Sequence, residues 1–358
     1  MTRPTMPGGE ESPPARAGID GERVTDGERV TDGAQLPGGV FVATGPRRWT
    51  GRRLTSALRR HTRTAFVFAG GSSRGAAQIG MAQALVTRGI EPDAVFGASV
   101  GAINAAGFCS DPTPSGVERM ASTWRQLTRE DVFPQGRVPN ALRYFQQRES
   151  VHPNTALRKV IEGGVTFDRL EHALVHLEVV ATSLHDGHAR WFTDGPAVER
   201  ILASSALPAL LPPVEIDGES FIDGGVVDNV PIGRAMSDGA ERIFVLLCGP
   251  MHYTPNRYRR PVEAVLTAFF IAVHTRFVRE LAHLPEGVEV VAFSVDSEPM
   301  SRYDNFTNTD VLIESGRMNA DVVLDFWQAG GVGERHLPGG DVRRSVAVFS
   351  RGQTGRSA

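Results

Sequence analysis

From residue 64 onward, short apolar runs alternate with longer stretches in which apolar positions recur at helical spacing. The runs at 65–68, 94–96 and 243–247 are apolar throughout and those at 177–182 and 288–293 nearly so, the pattern of strands buried on both faces. Between them, 76–88, 100–108, 197–204 and 262–284 predict helices. Gly89 falls just past the first of these, where a left-handed residue commonly ends a helix. The Asp186-Gly187 pair joins 177–182 to 189–192 and predicts a hairpin. Strands alternating with helices predict an α/β fold, a mostly parallel central sheet with helices on both sides.

Composition bounds this picture. Residues 1 to about 46 are rich in Gly, Pro, Glu and Asp and repeat Gly21-Glu22-Arg23-Val24-Thr25-Asp26 at once as 27–32. Such a segment buries too little apolar surface to offset its ordering entropy, so disorder is expected. The organisation read from the chain is a disordered, low-complexity and basic N-terminal segment over 1–62, a folded domain over 63–335 and a flexible tail over 336–358. The chemistry-bearing core of the folded domain is 66–234, and 235–335 continues it. With 358 residues, 41% of them hydrophobic, the chain can bury one large core. A net charge of −3 argues against nucleic acid as a partner. Two cysteines, Cys109 and Cys248, are too few for a disulfide framework. The N-terminus lacks a secretory signal pattern, and the longest apolar run, 264–273, is about half of a membrane span. A cytoplasmic protein is expected, of an oligomeric state the sequence does not reveal.

Two segments carry chemistry. Gly97-Ala98-Ser99-Val100-Gly101 is a G-x-S-x-G sequence between a predicted strand and a predicted helix, which places Ser99 on a sharp turn with its hydroxyl exposed. The bland alternative is a serine that caps the helix beginning at Val100. Asp223-Gly224-Gly225 offers a carboxylate in a glycine-rich loop after a short apolar run; the bland alternative is an Asx turn. A third segment, Gly70-Gly71-Ser72-Ser73-Arg74-Gly75, follows a buried strand and opens a helix, where backbone N–H groups attract an anion. It fits neither dinucleotide-binding nor P-loop spacing. Together the three supply a nucleophile, a base and an oxyanion-stabilising backbone, the parts acyl transfer requires.

In this order, the segments resemble the patatin-like phospholipase family. The stretch from Ala69 to Gly80 resembles the family's glycine-rich oxyanion turn, and Gly97 to Ala105 its nucleophile elbow. Ala203-Ser204-Ser205-Ala206-Leu207-Pro208 resembles the segment preceding the acidic motif, and Phe221 to Pro231 that motif itself, with its trailing Asn229 and Pro231. The resemblance implies a patatin-like three-layer α/β/α fold and a lipid acyl hydrolase, with Ser99 as nucleophile and Asp223 as its direct proton acceptor. It further implies an oxyanion hole at Gly70, Gly71, Ser72, Arg74 and Gly75, with Gly97, Gly101, Gly224 and Gly225 as structural support. The substrate would be a lipid acyl ester, and no metal or cofactor enters the scheme. The family usually has a third consecutive glycine where this chain has Ser72, whose Cβ narrows the geometry of the turn.

Two other readings stay open. An α/β-hydrolase with a Ser–Asp–His triad could draw on His252, His274, His283 or His336, all downstream of Asp223, although only two strands precede Ser99. A non-catalytic lipid- or protein-binding descendant of the fold is the other. His172 and His176 lack a third metal ligand and read as surface or packing residues, and His185 and His188 as hairpin-turn residues. The arginine-rich stretch 47–63 is either a solvated linker or a site of peripheral membrane contact. The consecutive Phe269, Phe270 and Ile271, with Phe277 and Leu281, suit packing on the sheet, with an acyl pocket or membrane contact as alternatives.

Overall fold

The computed structural model describes residues 62–134, 150–251, 261–295, 303–336 and 345–350. Within them lie ten strands: β1 (Thr64–Phe68), β2 (Ala94–Ala98), β3 (His176–Ser183), β4 (Ala189–Phe192), β5 (Val214–Ile216), β6 (Glu219–Asp223), β7 (Arg242–Leu246), β8 (Glu289–Phe293), β9 (Gly333–His336) and β10 (Ser345–Ser350). The helices are α1 (Ala76–Thr87), α2 (Val100–Ser110), α3 (Pro114–Gln126), α4 (Arg129–Val132), α5 (Thr155–Gly164), α6 (Ala197–Ser204), α7 (Gly225–Asp228), α8 (Ile232–Ser237), α9 (Pro261–Ala282) and α10 (Thr309–Gln328). Two short 3-10 turns, Ser72–Gly75 and Leu170–His172, complete the inventory.

All ten strands join one sheet, ordered β5-β6-β3-β2-β1-β7-β8-β10-β9, with β4 paired to β3. The central five, β3-β2-β1-β7-β8, are parallel, and both flanks are antiparallel. Successive residues of a strand point to opposite faces. Phe66 and Phe68 accordingly enter the core beneath α1 and α2, while Ala65 and Val67 enter the one beneath α8 and α9. Helices thus cover both faces of a sheet whose central strands β1 and β2 are buried along their whole length, which is why they read as apolar runs rather than alternations.

Helix α1 is buried almost all round because α10 crosses it at backbone contact. A Cβ on Gly80 would come within 1.8 Å of the Ile313 carbonyl oxygen, and one on Gly316 within 2.1 Å of the Ala77 carbonyl oxygen. At Gly89, φ is +66°, the left-handed residue expected after α1.

Two expectations need correction. Asp223 is the last residue of β6 rather than a loop residue, because β6 pairs antiparallel with β3 and places Asp223 opposite Ala181. The flexible tail expected over 336–358 does not include Ser345–Ser350, which form β10 between β8 and β9. Val348 and Phe349 of that strand are buried, and their apolar surface accounts for its place in the sheet. The N-terminal segment, apart from residue 62, lies outside the described residues. So does the arginine-rich stretch up to residue 61. Its last member, Arg63, pairs with Asp238 at 2.5 Å.

Candidate active site

Three segments distant in sequence meet at the C-terminal ends of β1, β2 and β6. Ser99 follows β2 at the start of α2 with φ +56° and ψ −130°, a region sparsely populated outside glycine. The close crossing behind it requires glycines: a Cβ on Gly101 would lie 2.0 Å from the Phe68 carbonyl oxygen, and one on Gly97 2.7 Å from the Ala102 Cα. Ser99 occupies the cap position of α2, yet its side chain makes no capping bond. Its hydroxyl donates instead to Asp223 Oδ2 at 2.6 Å.

Asp223 is held on every side. Its N–H donates to the Ala206 carbonyl at 2.9 Å, and its own carbonyl accepts the Thr182 hydroxyl at 2.8 Å. Oδ1 accepts the Gly225 N–H at 2.7 Å, the bond of an Asx turn, which leaves Oδ2 for Ser99. The side chain is 1% exposed. Burial disfavours its charged form and pushes the carboxyl up to about 7, although the bonds from Ser99 and Gly225 pull the other way. The hydroxyl and the carboxylate touch directly, leaving no place for an imidazole relay. Of the downstream histidines, His252 lies outside the described residues, and His283 sits beyond the end of α9 with Nδ1 at 2.7 Å from the Arg279 carbonyl.

The glycine-rich turn passes beside Ser99. A Cβ on Gly70 would stand 3.0 Å from the Ser99 Cβ. Gly70 is clasped by Asn229, exchanging N–H and carbonyl bonds at 3.1 and 3.2 Å with its main chain and side chain. Gly71 packs on Cys248, Gly75 on Val100 and Gly224 on the Val180 carbonyl. Ser72 has φ +56°, in the left-handed region that glycine enters most easily, and its hydroxyl donates to the Tyr303 carbonyl at 2.7 Å. Arg74 is 5% exposed and turns inward: Nη2 donates to the Gly71 carbonyl at 3.4 Å, and the guanidinium lies 5.6 Å from the Phe270 ring centre. Burial lowers it to about 10. Its position braces the turn from behind rather than presenting a charge to a ligand.

Several supporting residues were not singled out by sequence reasoning. Ser204 Oγ accepts the Ser99 N–H at 3.2 Å, and Ser205 donates its hydroxyl to the Ser99 carbonyl at 3.0 Å, so both main-chain groups of the strained residue are secured. Their signal was the Ser-Ser pair before the acidic motif, which carried no role by itself. Behind the turn, Gln78 donates to the Ala69 and Leu246 carbonyls at 2.7 and 2.9 Å. It accepts from Asn104 at 2.7 Å, and Asn104 in turn accepts from Trp124 Nε1 at 2.9 Å. These bonds satisfy a buried polar network at the root of both α1 and α2.

A cavity of about 270 Å³ opens from Ser99 and runs along α2 between α3 and α5. Away from this site, His176, Glu178 and Asp238 bring ligand-type atoms within 4.8 Å of one another. Arginines already hold both carboxylates, Arg234 on Glu178 at 2.6 Å and Arg63 on Asp238 at 2.5 Å. His172 pairs with Asp168 at 2.8 Å, and the Asp186 carboxylate closes the β3–β4 hairpin by accepting the His188 N–H at 2.9 Å. No helix among the described residues is long and apolar enough to cross a membrane. Helix α9 buries Leu266, Phe270, Phe277 and Leu281 and exposes Val265 and Ile271.

Comparison with known proteins places this geometry in context. The patatin-like phospholipase family profile matches residues 66–236. The chain is 25% identical over 313 residues to patatin-like phospholipase domain-containing protein 7 of Rattus norvegicus, covering 80% of this chain and 22% of that protein. It is 30% identical over 201 residues to lysophospholipase NTE1 of Saccharomyces cerevisiae, covering 52% of this chain and 11% of that protein. The chain therefore spans less than a quarter of the length of these curated relatives. Among solved structures, human GIVD cytosolic phospholipase A2 aligns with a TM-score of 0.40 at 11% identity, over 75% of this chain and 58% of that one.

Proposed function

Residues 66–236 of this chain are a patatin-like phospholipase domain, and from that premise we propose that the protein is a lipid acyl hydrolase working through a Ser99–Asp223 dyad. The observation that carries this reading is the 2.6 Å bond from the Ser99 hydroxyl to a buried carboxylate, at the head of an elongated cavity. In the proposed reaction Ser99 Oγ bonds to the ester carbonyl carbon while its proton passes to Asp223 Oδ2. Negative charge develops on the carbonyl oxygen, and main-chain N–H groups of the 70–75 turn hold it. Collapse breaks the ester bond, and the departing alcohol takes the proton from Asp223. Water then attacks the acyl-serine and gives a proton to Asp223, and collapse frees the carboxylic acid and returns the proton to Ser99.

An acid near 7 suits this work, since a base is most effective when its pKa lies close to the operating pH. The scheme needs only a lipid ester as substrate. The test is a hydrolysis panel of phospholipid, lysophospholipid, glyceride and simple esters on the wild type, Ser99→Ala and Asp223→Asn. Both variants are expected to fall by at least about a thousandfold on every active substrate. Retention of more than a tenth of the activity in either would refute the dyad.

A further inference from the structure

We infer that the cavity along α2 is a ruler for an unbranched acyl chain of about twelve carbons, with Gly107 and Gly163 setting its length. This rests on the lipid acyl hydrolase reading and adds the class of acyl group. Ser99 at the cap and Ile103, Gly107 and Ser110 of α2 face the cavity, one stripe along the whole helix. At 1.5 Å per residue the stripe is about 16 Å long, and an extended hydrocarbon advancing roughly 1.3 Å per carbon spans it with about twelve.

The lumen exists because side chains are missing from its walls. Gly107 faces Met120 of α3, and a Cβ there would stand 3.1 Å from the Met120 Cε. Gly163, near the end of α5, has nothing within 4 Å of where its Cβ would be. The middle of the passage is apolar, lined by Met120, Leu157 and Ile161 among others. Its far end is polar, with the Asp111–Arg119 ion pair beside the exposed Gly163, so a longer chain passes into water there. Each methylene inside the lumen is removed from water and each one beyond it is not. Specificity therefore rises by up to about fourfold per methylene until the rim and then stops.

The experiment measures kcat/KM for p-nitrophenyl esters of unbranched acids from four to sixteen carbons, below their aggregation limits. The wild type is expected to climb to about twelve carbons and level off. Gly163→Leu, whose Cβ would have no atom within 4 Å, is expected to fold and should lower the dodecanoate-to-octanoate ratio at least fivefold. Gly107→Leu should move the break to about nine carbons, since residue 107 lies about 12 Å along α2 from Ser99. Thermal unfolding monitors the fold of each variant. A second readout is independent of turnover: unbranched fatty acids of eight to sixteen carbons displace a fluorescent fatty acid from Ser99→Ala, with the same break expected. Identical chain-length profiles in the wild type and Gly163→Leu, by either readout, would overturn the ruler. If no ester is cleaved but the binding series breaks as described, the ruler stands and the hydrolase reading falls.

Discussion

Asp223 answers two opposed demands. In the proposed reaction it must be ionised to take a proton from Ser99, yet burial raises it to about 7. Activity should consequently rise about tenfold per pH unit below 7 and level off above it. A kcat/KM profile on a short ester, flat between pH 5.5 and 7, would contradict this assignment. Ser72 poses a second question at this scale. Its φ of +56° costs a residue with a Cβ about 1–2 kcal/mol relative to glycine, and the hydroxyl bond to Tyr303 offsets about 1 kcal/mol. Ser72→Ala keeps the strain and loses the bond, so it should lower kcat by about tenfold through a loosened turn. Ser72→Gly loses both and should stay within a few-fold of wild type. The reverse order, measured side by side, would show that the hydroxyl acts on substrate instead. The usual third glycine of the family fits this position for the same backbone reason.

Among elements, the crossing of α1 and α10 is the least forgiving contact. Gly80 and Gly316 let two backbones touch, and no rotamer change makes room for a methyl group against a carbonyl oxygen. Gly316→Ala is expected to cost about 1–3 kcal/mol by overpacking, seen as a lower denaturation midpoint. Because α1 also begins at the 70–75 turn, the proposed oxyanion hole, and carries Gln78, the same variant should lose activity before it loses its fold. An unchanged midpoint would mean that the helices can separate freely. Strand β10 is the other element with a clear consequence. Ending the chain at residue 344 removes the buried Val348 and Phe349 and bares the edge of β8. At about 1.5–3 kcal/mol per side chain, the shortened protein should be markedly less stable and should aggregate through that edge.

For the whole molecule, two buried acids shape stability against pH. Asp223 and Asp228 both lie near 7, raised from 3.8 chiefly by burial, with Arg276 at 3.6 Å partly offsetting this at Asp228. Between about pH 4 and 7 the folded protein holds protons that the unfolded chain has released. Their contribution is therefore full below about pH 4 and is lost as pH rises through about 7. Asp223→Asn and Asp228→Asn should each raise Tm at pH 8 relative to wild type, with little gain near pH 4. A lower Tm at pH 8 in both would reverse the sign assigned here. The base that the proposed reaction needs is thus a source of instability at the pH where it works.

Local pattern alone determined much of this protein. Apolar runs and helical spacing placed the central parallel strands, and 197–204 matches α6 end to end, because dihedral preference and side-chain periodicity act over a few residues. The same local logic put Ser99 on its turn, since Gly97 and Gly101 mark where strand and helix cross. Tertiary structure decided the rest. Asp223 reaches Ser99 across 124 residues only because β6 pairs antiparallel with β3, and no short window encodes which distant strand a run will join. Ser204 and Ser205 gained their roles, Asp223 its raised pKa and β10 its place in the sheet from neighbours far along the chain. Pairing, burial and desolvation are properties of the packed molecule, whereas helix, turn and strand begin with adjacent residues.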